Sequence, residues 1–181
     1  LYSYKVFSDG VMISDSEDVL VDYNFARTGD DAFEVKSVAT TGISKNVVFE
    51  YNDCWTDKAD AYGCVYETNH DITDVIFRHN SVGFALGDWS DHLGCIALQL
   101  GNNKASPKTI HDVIFNDIEI YHNNNYAIIS IYFGGIQGHY DGYGTIKDIY
   151  ISNVNVKYNK QAEQGHRCSM HRSALRCKPL H

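Results

Sequence analysis

One short phrase recurs five times along the chain and limits what it can fold into. It reads EDVLVDYNF from Glu17, KNVVFEYND from Lys45, TDVIFRHNS from Thr73, HDVIFNDIE from His111 and KDIYISNVN from Lys147. Each copy is a polar residue, then Asp or Asn, then about four apolar or β-branched residues. The first apolar residues are Val19, Val47, Val75, Val113 and Ile149, at steps of 28, 28, 38 and 36. A second strand-like segment follows each of the first four copies: AFEV, YGCVYE, GCIALQL and AIISIYF. The residues between are the Gly, Asn, Asp and Thr of turns. Helical periodicity is nearly absent before residue 160. Short strands returning at one register predict a solenoid of about five coils, in which like strands stack in parallel and like residues form ladders. An antiparallel sandwich is the alternative, but it has no reason to repeat a phrase. Inserted loops at 101–109 and 134–144 would then project from one side.

After Lys160 the pattern stops. Residues 161–181 lack strand alternation and reverse the charge sign, so they read as a cap or an out-of-frame tail, outside the repeat domain of 1–160. That tail holds four of the fifteen Lys and Arg and one of the twenty-three acids, leaving 11 against 22, or −11, on the first 160 residues. So acidic a body disfavours nucleic acid, an anionic membrane and polyanionic substrates as partners. No apolar run approaches the roughly 20 residues that span a bilayer. Five cysteines leave at least one unpaired, and none has zinc-ligand spacing. Cys64 and Cys95 read as holding matching places in two repeats and as small buried fillers.

Aligning the second strands gathers acids into a column. Asp9-Gly10-Val11, Asp31-Ala32-Phe33, Asp60-Ala61-Tyr62 and Asp91-His92-Leu93 each open on Asp, at steps of 22, 29 and 31, and Asp30 flanks the column. Residues equivalent in a stacked parallel sheet lie about 4.8 Å apart. Carboxylates that close cannot all ionise freely, so at least one holds its proton toward neutral pH. A carboxylic acid beside a carboxylate is what glycosidic cleavage requires. A single Asp before a strand is ordinarily a turn residue; four in register beside a doublet favour chemistry. Trp55 and Trp89, the two tryptophans, fall in the loops that lead to Asp60 and Asp91, with Tyr62 and Tyr66 nearby. Such rings are expected to stack on the apolar face of a sugar.

The stretch SDGVMISDSEDVLVDYNFARTGDDAFEVKS resembles the catalytic segment of the polygalacturonase-like and dextranase-like glycoside hydrolases. The resemblance rests on Ser8-Asp9-Gly10, Asp18-Val19-Leu20-Val21 and Gly29-Asp30-Asp31. It covers about 30 residues closely and continues diffusely to about residue 160. It implies a right-handed parallel β-helix, inverting hydrolysis without metal or organic cofactor, and a secreted or cell-surface protein. By position Asp30 would be the general acid, with Asp9 and Asp31 holding the water. The pectin-cleaving members' Gly-His-Gly and Arg-x-Lys have no counterpart here, which points to a neutral polysaccharide or oligosaccharide. Asp60, Asp91 and His92 are then candidates to support or bind at the site, with Trp55, Trp89, Tyr62 and Lys36 as substrate contacts. Two rival readings stay open. A β-helix lyase would use Lys36 or Arg27 as base, with calcium held by acids. A non-catalytic glycan-binding or adhesion module would explain the acids as turn residues, and its open ends would invite self-association. The enzymatic reading requires Asp9, Asp30 and Asp31 to converge.

Overall fold

A computed structural model describes residues 7–87, 92–101, 107–134 and 144–160. The chain is all-β over these residues. Its strands are β1 (Val11–Ser14), β2 (Glu17–Asp22), β3 (Phe25–Thr28), β4 (Phe33–Ser37), β5 (Ser44–Glu50) and β6 (Asp53–Thr56), followed by β7 (Tyr62–Thr68), β8 (Ile72–Ala85), β9 (Gly94–Leu100), β10 (Lys108–Ile120), β11 (Ala127–Phe133) and β12 (Gly144–Val156). Among the described residues no helix is long and apolar enough to cross a membrane.

Two sheets dominate. One has five strands in the order β1-β4-β7-β9-β11; the other has seven, β12-β10-β8-β5-β2 with β3 and β6 attached. Every pairing between the named strands is parallel, which removes the antiparallel sandwich. The recurring phrase sets the register of the larger sheet. Val19 pairs with Val47, Val47 with Val75, Val75 with Val113 and Val113 with Ile149. The uneven steps of the sequence are therefore absorbed in the connections, not in the strands.

Alternation does the packing. In the larger sheet Val21, Phe49, Phe77, Phe115 and Ile151 stand in one paired row. Phe49 stacks on Phe77 at 4.8 Å and Phe77 on Phe115 at 4.7 Å between ring centroids, which is the interstrand spacing itself. All three phenylalanines are fully buried. The residue just before each first apolar position (Asp18, Asn46, Asp74, Asp112, Asp148) has φ between 52° and 59°. Asp and Asn tolerate that left-handed conformation better than other non-glycine residues, which explains why the phrase always carries one of them there.

The first three copies of the phrase carry an asparagine near their end, at Asn24, Asn52 and Asn80. Asn52 and Asn80 are buried. The Asn52 side-chain oxygen accepts from the backbone N–H of Asn24 at 2.9 Å, and that of Asn80 from Asn52 N–H at 2.8 Å. Their amide groups donate back to Val21 O and Phe49 O, both at 2.9 Å. The ladder satisfies backbone groups at a corner where no strand partner exists. Cys64 and Cys95 are buried and unbridged, as fillers should be, but they are not equivalent: Cys64 pairs with Leu98.

Candidate active site

The acids are set by the connection from β3 into β4. Thr28 closes β3 and pairs with Thr56 of the next repeat. Both hydroxyls donate to the backbone carbonyl of Asp30, at 2.7 and 2.8 Å. Asp31 Oδ1 accepts the Asp60 N–H at 2.9 Å, and Asp30 Oδ1 accepts the Asp31 N–H at 3.2 Å. The preceding repeat closes over this turn: Gly10 N–H donates to Asp31 O at 2.8 Å and Val11 N–H to Ala32 O at 2.9 Å. A Cβ at Gly10 would collide with the Ala32 carbonyl, so the glycine after Asp9 is what allows this approach.

Asp9, Asp30 and Asp31 converge. One carboxylate oxygen of each lies within 4.8 Å of the others, and all three residues are partly open to solvent. Among the described residues they are the one set of acids close enough to gather round a cation. The positive charge supplied there is the chain's own: Lys36 Nζ lies 3.2 Å from Asp9 Oδ2 and 3.2 Å from Glu34 Oε2.

Crowding and burial divide the protons. Burial, reinforced by the charges of Asp31 and Asp9, pushes the Asp30 carboxyl up to about 7, against the pull of Lys36 and the Asp31 N–H. Burial also raises Asp31, while Lys36, Glu34 and the Asp60 N–H pull it back. Glu34 rises well above the usual carboxylate range through burial and the neighbouring Asp31. For Lys36, burial works against the ammonium, but Glu34, Asp31 and Asp9 outweigh it and hold its proton more tightly.

The acidic column is correct for three members and wrong for the fourth. Val11 pairs with Phe33 and Phe33 with Tyr62, so Asp9, Asp31 and Asp60 do align. Tyr62 then pairs with Ile96, which brings Gly94, not Asp91, opposite Asp60. Asp91 and Trp89 themselves lie outside the described residues.

Two expected substrate contacts are interior instead. Asp60 is 2% exposed; its Oδ1 accepts Gly94 N–H at 2.6 Å and its Oδ2 the Gln99 side-chain amide at 2.7 Å, so it backs Asp31 rather than facing a ligand. Burial, then Asp31, raises its carboxyl well above the ordinary range. Tyr62 is wholly buried, stacked on Phe33 at 5.4 Å, with its hydroxyl donating to backbone carbonyls of the core. Strand alternation turns it inward with Phe33. Trp55 lies with Arg27, Asp57 and Phe84: the guanidinium is 5.3 Å from its ring, the Phe84 ring 4.8 Å, and Nε1 donates to Asp57 at 2.9 Å. None of these partners belongs to the acid cluster.

His92 does reach the cluster's neighbourhood, through Tyr66. The Tyr66 hydroxyl is 2.8 Å from His92 Nε2, and the imidazole stacks on Tyr132 at 4.3 Å. Burial raises the Tyr66 phenol, and the nearby Asp60 and Asp31 raise it further. Sequence reasoning passed over Glu34, Gln99 and Tyr132. Glu34 carried a signal: with Lys36 it occupies the outward-facing positions of the strand that follows the doublet. No family model, curated protein or solved structure matches the chain.

Proposed function

We propose that the chain is a glycoside hydrolase built on a right-handed parallel β-helix. Asp30 is its general acid, and Asp9 with Asp31 holds and activates water. One observation carries this reading: three carboxyl groups from two successive repeats meet with oxygens within 4.8 Å. Burial and the neighbouring Asp31 and Asp9 push one of them, Asp30, up to about 7. A general acid is most effective with a pKa near the working pH. For the fold, strand neighbours that are always one repeat apart and always parallel support a continuous winding. Right-handed crossover is the rule for parallel connections.

In the reaction Asp30 gives its proton to the glycosidic oxygen as the bond from that oxygen to the anomeric carbon breaks. Water adds to the anomeric carbon and loses a proton to Asp9 or Asp31. The products are an alcohol and a new reducing end, and one water is consumed. The resemblance implies inversion, for which acid and base carboxyls are generally about 6.5–9.5 Å apart. A second route has Asp9 or Asp31 attack the anomeric carbon directly, after which water releases the sugar from that aspartate and configuration is retained.

The substrate is a neutral polysaccharide or oligosaccharide. Lys36 is engaged by Asp9 and Glu34, and Arg27 by Asp57 at 3.2 Å, so both cations beside the doublet serve acids of the chain rather than a sugar carboxylate. The tightened Lys36 proton also disfavours the lyase reading, in which that side chain would have to act as base. A non-catalytic glycan-binding module remains the rival of a different class.

A panel of neutral and anionic glycans with reducing-end detection tests the proposal, run on the chain and on Asp30→Asn. New reducing ends from a neutral glycan, lost in the variant, support it; cleavage that survives the substitution removes Asp30 as the acid. Binding without cleavage by either protein favours the module. Proton NMR of the first anomer released separates inversion from retention.

A further inference from the structure

Glu34 is a buried acid of the site with an ion-pair neighbour but no hydrogen-bond donor of its own. It stands on β4 between Met12 of β1 and Gly63 of β7, and its side chain is 1% exposed. Neither of its carboxyl oxygens has a hydrogen-bond partner. Its Oε2 lies 3.2 Å from Lys36 Nζ, but that ammonium is equally close to Asp9. The groups that face it are Asp9 ahead of β1, with Asp31 and Lys36 on its own strand segment; Asp60, ahead of β7, and Tyr66 of β7 act on Asp31's side of the cluster. An ionised Glu34 would be a third anion about a single ammonium, with acceptor oxygens turned toward acceptor oxygens. A buried anion without compensating bonds is strongly unfavourable. A protonated Glu34 has a hydrogen to give, and Asp31 and Asp9 are the acceptors beside it.

We propose that Glu34 is a proton-holding positioning residue: it sits neutral beneath the doublet, donates its hydroxyl hydrogen to Asp31, and so fixes which of two adjacent aspartates serves as acid and which as base. The assignment of those roles rests on the glycosidase reading; the neutral Glu34 does not. Asp30 and Asp31 are the same side chain in neighbouring positions, and their division of labour needs an outside cause. A donor aimed at Asp31 stabilises its anion, and the anion in turn makes Asp30 harder to ionise. The asymmetry of the doublet is thus written three residues further along the same strand.

Two measurements test this independently. The chain labelled at the side-chain carboxyl carbons of its six glutamates is titrated by carbon NMR. The expected result is one carboxyl that keeps the protonated shift through pH 7 and is missing from Glu34→Gln. If the signal missing from that variant instead ionises near the ordinary value of about 4.3, the proposal is overturned whether or not any glycan is cleaved. The second measurement is the pH–rate profile on whichever neutral glycan the panel identifies. Glu34→Gln keeps a donor and is expected to hold kcat within about threefold. Glu34→Leu removes the donor, so the acid limb is expected to move up by about one pH unit, with kcat falling tenfold or more and KM little changed. A Glu34→Gln as impaired as Glu34→Leu would overturn the donor role. Loss of cleavage in the panel with a neutral Glu34 by NMR would remove the glycosidase reading and leave the proton assignment standing.

Discussion

The two sheets are made of the same repeats and put to opposite uses. In the seven-stranded sheet the outward face is ordinary surface: Leu20 is 57% exposed and Tyr150 51%, and ion pairs such as Arg78–Glu50 sit in the open. In the five-stranded sheet Met12 on the edge strand β1 is exposed, but several outward positions further along are covered. Glu34, Ala97, Gln99 and Ser130 all face away from the core yet are 7% exposed or less. Both sheets share the inner ladders, so stacking alone cannot account for the difference. One face satisfies its polar groups with water and neighbours; the other crowds carboxyl groups against one another and leaves Glu34 without a hydrogen-bond partner. Local conflict of this kind is tolerated where function needs it and is offset by regular packing elsewhere.

If that division is right, substitutions in the two sheets should separate by kind as well as size. The largest expected loss of stability is in the phenylalanine stack, where Phe77→Ala removes a wholly buried ring that stacks on two others; chemical denaturation should show a loss of about 3–5 kcal/mol. Asn52→Ala comes next, at about 2–3 kcal/mol, because the backbone N–H of Asn24 and the carbonyl of Val21 lose their partner at a buried corner. A comparable loss from a conservative change in the acid cluster would break the comparison.

The acid cluster should show the opposite sign. Folding raises Asp30 from its ordinary value to about 7, so between those two pH values the native chain binds more protons than the unfolded one. Stability from this source is complete below the unfolded pKa and is lost as pH rises through about 7. Melting curves should therefore show a decline from about pH 4 to pH 8, flatter in Asp30→Asn, with the variant melting above the parent at pH 8. A steeper decline in the variant would contradict the sign. The smallest effect is expected at Arg78→Ala. Its exposed ion pair with Glu50 should contribute about 0–1 kcal/mol, and less in high salt.

How much of this was legible follows from the same contrast. The phrase fixes the larger sheet because its strands alternate: a slip of one residue would turn Val47 and Phe49 outward, so pattern and register agree. It also carries the left-handed Asp or Asn that marks each corner. The middle strands of the smaller sheet, β4, β7 and β9, are covered on both faces, and there the pattern fails. GCIALQL in β9 is buried at every position, so no alternation pins it. The pair Gly94-Cys95 looked like Gly63-Cys64 and set the alignment three residues out, which placed Asp91 where Gly94 belongs. Inserted residues in β7, where Val35 pairs with Cys64 but Ser37 with Thr68, hide the shift further. Asp9, Asp30 and Asp31 were readable because the turn before β4 is local and its glycines are explicit. Tyr62 was misread because proximity in sequence to an acid says nothing about which face a strand residue takes. Glu34 was missed because a polar residue at an outward position looks like surface until the face is known to be covered.

Matched Asp→Asn changes on the two sheets test the central claim most directly. Asp74 sits in the left-handed corner position that Asn46 already occupies one repeat earlier, so Asp74→Asn is a fair control for Asp30→Asn. Initial rates of reducing-end release from the best neutral glycan are measured for the parent and both variants at pH 6. The account predicts a fall of about 10²–10⁴-fold for Asp30→Asn and a change within twofold for Asp74→Asn. Equal rates for the two variants would contradict it, for the reactive carboxyl would then not lie at the doublet.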